Sequence, residues 1–221
     1  MSRLSREDFR FPEEGELVNS SFNSVTYINP LVLEDLLDYK PDEAWGVGDA
    51  FTYMDSLGLV FPDKEALRYK QLTGWKPLPD DQKFRTAYNS VRNTIIGDAL
   101  TTLGSPVIKG VIELSHSGPN PKEDRHYDQV PHLDVVSLLG QRVLLYFAAN
   151  TETTRLLTGP YRFAGFIDDY SQQPDFSALK EERPDPNQLV RAEGITLLHA
   201  GNKPVPNRLF IRAFAEAALA A

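Results

Sequence analysis

The sequence predicts an α+β protein in which N-terminal helices pack on the outside of an antiparallel barrel or double-sheet jelly roll. Two observations lead there. Helical periodicity is confined to the chain before Gly104, and after it the texture turns to short runs rich in β-branched and aromatic residues, about eight of them. The two textures are segregated rather than alternating, which argues against a parallel βαβ arrangement and for an antiparallel one.

The elements follow in order. Residues 1–28 are polar with scattered aromatics and read as an irregular lead-in. From Pro30, a residue suited to a first helical turn, Leu31, Leu33, Leu36 and Leu37 fall at helical spacing. Asp42 to Leu57 reads as a second helix stopped by Gly58, and Asp63 to Leu72 as a third stopped by Gly74. The longest helix is expected over Asp80 to Leu103, with Phe84, Tyr88, Val91, Ile95, Ile96 and Leu100 on one stripe and Gly104 as its stop. Val107 to Leu114 is the first expected strand. A loop of Pro, Gly, Asn and charge runs from Ser115 to Pro131. His132–Leu138, a turn at Gly140, and the run Val143 to Ala148 come next. Leu156 to Ile167 contains Gly159-Pro160 and reads as one bent strand or two. Residues 168–187 form an acidic, Pro-containing insertion with room for a short helix. Leu189–Val190, Ile195–His199 and Leu209–Phe214 are the closing strands, and the tail frays or adds a helical turn. One domain is expected, with a helical part over 1–104 and a β core over 105–216.

Composition bounds the function. The 221 residues are 41% hydrophobic and 10% aromatic, enough for a sizeable core. The net charge of −8 argues against nucleic acid and anionic membranes as partners, since both call for basic surfaces. Cysteine is absent, which excludes disulfides, thiolate nucleophiles and zinc–thiolate sites, and suits a cytoplasmic location. The first residues contain no apolar core of a signal peptide, and no apolar run of about 18 residues exists, so neither secretion nor a transmembrane helix is expected. Asn19-Ser20-Ser21 fits a glycosylation sequon, which means little without a secretory signal. Gly46-Val47-Gly48 lacks the third glycine and the preceding strand of a dinucleotide loop, and no phosphate-binding loop or nucleophile elbow is present.

The chemistry concentrates in two short stretches. In a strand, residues two apart share a face, so His132 and Asp134 project together. On a later strand Ile195, Leu197 and His199 share a face, and if that face is internal His199 enters the same cavity. Two imidazoles and one carboxylate on one side of a metal, with other positions open, form the facial triad of non-haem Fe(II) oxygenases. On the last strand Arg208, Phe210, Arg212 and Phe214 share a face. A buried arginine is costly unless it meets an anion, and a dicarboxylate co-substrate supplies one for Arg208 through a bidentate pair. For Arg212 an internal salt bridge is the favoured reading, with substrate contact as the other. A rival H-x-D, His126-Tyr127-Asp128, sits in a charged loop; its His126 and Tyr127 are candidates for the mouth of the pocket. His116 reads as structural or solvent-facing.

Taken together, His132-Leu133-Asp134, then Leu144-Leu145-Tyr146-Phe147-Ala148-Ala149-Asn150, then Leu197-Leu198-His199-Ala200-Gly201 with Arg208 beyond resemble the Fe(II)/2-oxoglutarate-dependent oxygenases, in their prolyl-hydroxylase-like branch. The resemblance spans residues 105–215; the family's Gly-Gly stretch in the middle strands is echoed only by Thr158-Gly159-Pro160. It implies a double-stranded β-helix with iron held by His132, Asp134 and His199. It further implies 2-oxoglutarate chelating the iron, its far carboxylate on Arg208, and O2 as the second co-substrate. A tyrosine on the strand after H-x-D often helps hold 2-oxoglutarate in that branch. Tyr146 is therefore the candidate, beside a plain barrel-wall role. The implied activity is oxidative decarboxylation to succinate coupled to oxidation of a small molecule, such as an amino acid or a biosynthetic intermediate, with a peptidyl residue open. Family halogenases carry a small residue where this chain has Asp134, so hydroxylation is favoured, with desaturation or cyclisation open. The alternatives are a cupin-like metalloenzyme that does not use 2-oxoglutarate and a non-catalytic jelly-roll binding module.

Overall fold

The structure is a computed structural model that describes residues 12–38, 47–54, 78–104, 107–116, 131–133, 142–152, 154–164, 176–193, 196–201 and 206–217. Within these residues the chain forms two antiparallel β-sheets and two helices. The strands are β1 (Leu17–Ser20), β2 (Asn23–Tyr27), β3 (Val47–Met54), β4 (Val107–His116), β5 (Arg142–Ala149), β6 (Thr154–Arg162), β7 (Lys180–Glu182), β8 (Gln188–Glu193), β9 (Leu198–Gly201) and β10 (Leu209–Ala217). The helices are α1 (Pro30–Leu37) and α2 (Gln82–Leu103).

Both helices start and stop where local chemistry dictates. Asn29 caps α1, its side chain accepting from the Leu31 N–H at 3.0 Å, and Pro30 occupies the first turn. Asp81 caps α2 through the Phe84 N–H at 2.7 Å, and Gly104 ends it in the left-handed region with φ of 58°. The expected stripe on α2 is buried at Phe84, Tyr88, Val91, Ile95 and Ile96, while Leu100 lies at its half-buried margin. Arg142 adds a second stop, donating to the Thr102 carbonyl at 2.8 Å, where a cation complements the negative end of the helix.

The larger sheet runs β2-β8-β5-β10-β4-β3. One of its faces is covered by both helices: Leu144, Tyr146, Ala148, Leu209, Ile211, Ala213 and Ala215 pack against Leu33, Leu36 and the α2 stripe. The opposite face, with Leu145, Phe147, Val190 and Ala192, packs against Leu156 of the smaller sheet and Leu197. In that sheet β6 pairs with β7 on one edge, while β9 and β1 follow one another along the other, β9 beside Thr154–Leu157 and β1 beside Gly159–Arg162. The molecule is thus three layers deep, helices on sheet on sheet, with apolar contacts between each.

Several expectations change. The stretch 47–54, expected inside a helix, is strand β3, paired along its length with β4. Val47 and Phe51 fit helical spacing as well as strand alternation, and the open edge of the apolar strand β4 decides between them. The 1–28 lead-in contains β1 and β2, one in each sheet, so the first 104 residues supply strands as well as helices. Thr154 to Arg162 is one strand that passes through Gly159 at φ of 126°, a conformation that glycine accommodates. Of the 168–187 insertion, the described residues 176–187 hold β7 and turns, and 168–175 lie outside the described residues. The expected Asp63–Leu72 helix and most of the 115–131 loop lie outside the described residues. No helix among the described residues is long and apolar enough to cross a membrane.

Candidate metal-binding site

The site grows from the pairing of two distant segments. His199 sits on β9, whose Leu156-facing edge pairs with β6. On its other side His199 meets His132, and the two exchange backbone hydrogen bonds: His132 N–H to the His199 carbonyl at 2.9 Å, His199 N–H to the His132 carbonyl at 3.1 Å. Residues directly opposite in an antiparallel pair project from the same face. Their rings accordingly lie 4.4 Å apart between centroids, tilted by 54°. The expectation that H-x-D and the distal histidine meet is met for the two histidines.

The face they share is internal. His199 is 5% exposed, and its ring lies 4.9 Å from that of Phe147 on β5. Phe147 in turn stacks with Phe210 of β10 at 5.9 Å, and the Arg208 guanidinium lies 4.9 Å over the Phe210 ring. A line of rings therefore runs from the imidazole pair to Arg208. Arg208 is half-buried and immediately precedes β10.

The proton on His199 is placed by its surroundings. Nδ1 lies 3.1 Å from the Leu197 carbonyl, which can only accept, so Nδ1 carries the hydrogen. In the neutral ring Nε2 then holds the lone pair. That is the usual division in metal-ligating histidines, one nitrogen anchored to a carbonyl and the other turned to the metal.

The other candidates are placed differently. Tyr146 does not reach the imidazole pair. It lies on the opposite face of β5 from Phe147, among the helix-packed residues, and its hydroxyl donates to Asp98 Oδ2 of α2 at 2.7 Å. This places Tyr146 at the helix–sheet interface, the wall position weighed beside the 2-oxoglutarate role. Burial raises its hydroxyl pKa first, and the hydrogen bond to Asp98 adds to the effect. Arg212 is held in a salt bridge with Glu113, directly opposite on β4, at 2.7 Å, which matches the internal-pair reading over substrate contact. His116 ends β4, half-buried. Asp134, His126 and Tyr127 lie outside the described residues, and no cluster of three metal-capable side chains is complete among the described ones.

Sequence reasoning missed three features. Phe147, next to the favoured Tyr146, is the ring against His199. Asp98 gathers Tyr146 and Arg191, whose Nη1 donates to both of its carboxylate oxygens at 2.8 Å, pinning α2 to β5 and β8. Ser20, buried on β1, accepts from the N–H of Leu198 beside His199.

No protein-family model matches the sequence, and a search of curated proteins finds no relative. Among solved structures, the chain is similar to IDO from Bacillus thuringiensis, at 11% identity over 85% of this chain and 80% of that one, with a TM-score of 0.39. It is also similar to AviO1 from Streptomyces viridochromogenes Tue57, at 11% identity over 92% of each chain and a TM-score of 0.40. A bsmA homolog from Methylobium petroleophilum PM1 is similar at 11% identity over 87% of this chain and 88% of that one, with a TM-score of 0.36. Similarity at this level assigns the chain to no family.

Proposed function

We propose that the chain is an Fe(II)- and 2-oxoglutarate-dependent oxygenase that hydroxylates a small molecule, built on a double-stranded β-helix. The observation that carries this reading is the His132–His199 pair, two imidazoles side by side on one internal face between two antiparallel sheets. Imidazole nitrogens suit Fe(II), and the Leu197 carbonyl leaves His199 with its lone pair on Nε2. Asp134 is the proposed third ligand, because extended backbone puts residue i+2 on the face of residue i.

When bound, iron supplies the activation of dioxygen that hydroxylation needs. The chain's own residues do the rest. His132 and His199 would hold the metal through their imidazole nitrogens. Arg208 takes the far carboxylate of 2-oxoglutarate in a charge-assisted pair. The Phe147 and Phe210 rings between them exclude water, which strengthens that pair. Arg212 is held in its salt bridge with Glu113.

Succinate production in air tests the proposal. Purified protein given Fe(II) and 2-oxoglutarate should release succinate slowly without substrate, and His199→Ala should abolish the release. Fe(II) binding with no consumption of 2-oxoglutarate would instead favour a metalloenzyme that works without it. Absence of both would favour a non-catalytic binding module.

A further inference from the structure

We infer that Ser20 is a positioning residue for His199, acting through the Leu197–Leu198 peptide. The inference deepens the metal-site reading and rests on it for one of two readouts.

Strands β9 and β1 share one edge of β6 but do not overlap, so the ladder breaks between Leu198, opposite Leu157, and Ser20, opposite Gly159. A broken ladder leaves backbone groups to be satisfied, and here they are deeply buried. Leu198 is 2% exposed and Ser20 0% exposed. The Leu198 N–H donates to Ser20 Oγ at 3.0 Å. The carbonyl of the same peptide unit, that of Leu197, accepts from His199 Nδ1 at 3.1 Å. A peptide is a rigid plane, so fixing its N–H fixes its carbonyl. Hydrogen bonds in such a chain also polarise one another. Ser20 thereby sets the acceptor that decides which nitrogen of His199 carries the proton and where the ring points. The segment just before is tied as well, the Tyr161 hydroxyl donating to the Thr196 carbonyl at 3.0 Å.

The test compares wild type with Ser20→Ala, Ser20→Thr and Asp81→Ala. The last removes the α2 cap and serves as a stability control far from β9. In metal-free protein, imidazole nitrogen chemical shifts should show His199 as the Nδ1–H tautomer in wild type and as a mixture in Ser20→Ala. Co(II), used as the probe metal, should bind Ser20→Ala about tenfold or more weakly, the range for partners that orient a ligand. Ser20→Thr, which keeps the hydroxyl, should restore both readouts, and Asp81→Ala should move neither. An unchanged tautomer and affinity in Ser20→Ala would overturn the inference, as would an equal loss in Asp81→Ala. A wild type that ignores Co(II) but shows the Ser20-dependent tautomer would overturn the metal reading and uphold the positioning role.

Discussion

His132 and His199 form a reciprocal backbone pair, each donating its N–H to the other's carbonyl, and their imidazoles stand 4.4 Å apart on one internal face. The backbone pairing makes the side-chain proximity a property of the sheet rather than of two flexible rotamers. If both rings bind one metal, His132→Ala and His199→Ala should each weaken divalent-metal affinity by more than about 100-fold, beyond the effect of losing an outer partner. Isothermal titration with Co(II) checks this. Equal affinity in either variant would remove that residue from the site.

Arg208, just before β10, and Arg212 within it each lie over a phenylalanine ring of that strand, yet their substitutions should differ. Arg208→Ala should raise the dissociation constant of 2-oxoglutarate by about ten- to a hundredfold, the loss of a charge-assisted pair, while metal affinity holds. Arg212→Ala strands the Glu113 carboxylate, 16% exposed, and should lower stability by about 1–3 kcal/mol, with less effect on 2-oxoglutarate. Equilibrium binding and urea unfolding of both variants separate the two roles.

Tyr146 gives a pH-dependent prediction. Its hydroxyl pKa is raised on folding, by burial and by Asp98, above an ordinary value of 10.0. A raised pKa means stability that is complete below the unfolded value and lost as pH climbs past it. Urea unfolding should therefore show stability falling above about pH 10, with a shallower fall in Tyr146→Phe. At neutral pH the same variant should lose about 1–3 kcal/mol, since Asp98 loses a donor, and should bind 2-oxoglutarate as wild type does. A large loss of 2-oxoglutarate affinity would return Tyr146 to the pocket.

Gly110 is a packing prediction. A Cβ there would collide with the Phe214 carbonyl and come within 2.6 Å of the Phe51 ring. The backbone oxygen cannot step aside without disturbing the β4–β10 ladder. Gly110→Ala should cost about 1–3 kcal/mol in urea unfolding, as overpacking does. A neutral result would mean that Phe51 does not pack over β4.

How much the sequence could say depended on whether one pattern or two fitted a stretch. α2 was legible to within two residues of its start and to its stop, because the stripe and Gly104 agree. The β10 alternation was legible too, since Phe210, Arg212 and Phe214 take turns with the smaller, buried Leu209, Ile211, Ala213 and Ala215. β5 was not: it is buried on both faces, so Val143 to Ala149 is apolar throughout and carries no mark of which face Tyr146 takes. A shift of one position exchanges Tyr146 for Phe147, the ring that stands against His199. β3 was misread because its edge pairing with β4 is a long-range contact that no local pattern encodes. Ser20 was invisible for the same reason, its partner lying 178 residues away.

The most direct test of the central claim is an anaerobic titration of Fe(II)-loaded protein with 2-oxoglutarate, followed by visible absorbance. Chelation of iron by the keto acid at the His132–His199 site predicts a charge-transfer band that saturates with 2-oxoglutarate and is missing in His199→Ala. No band in the Fe(II)-loaded wild type, or a band of equal strength in His199→Ala, would contradict it.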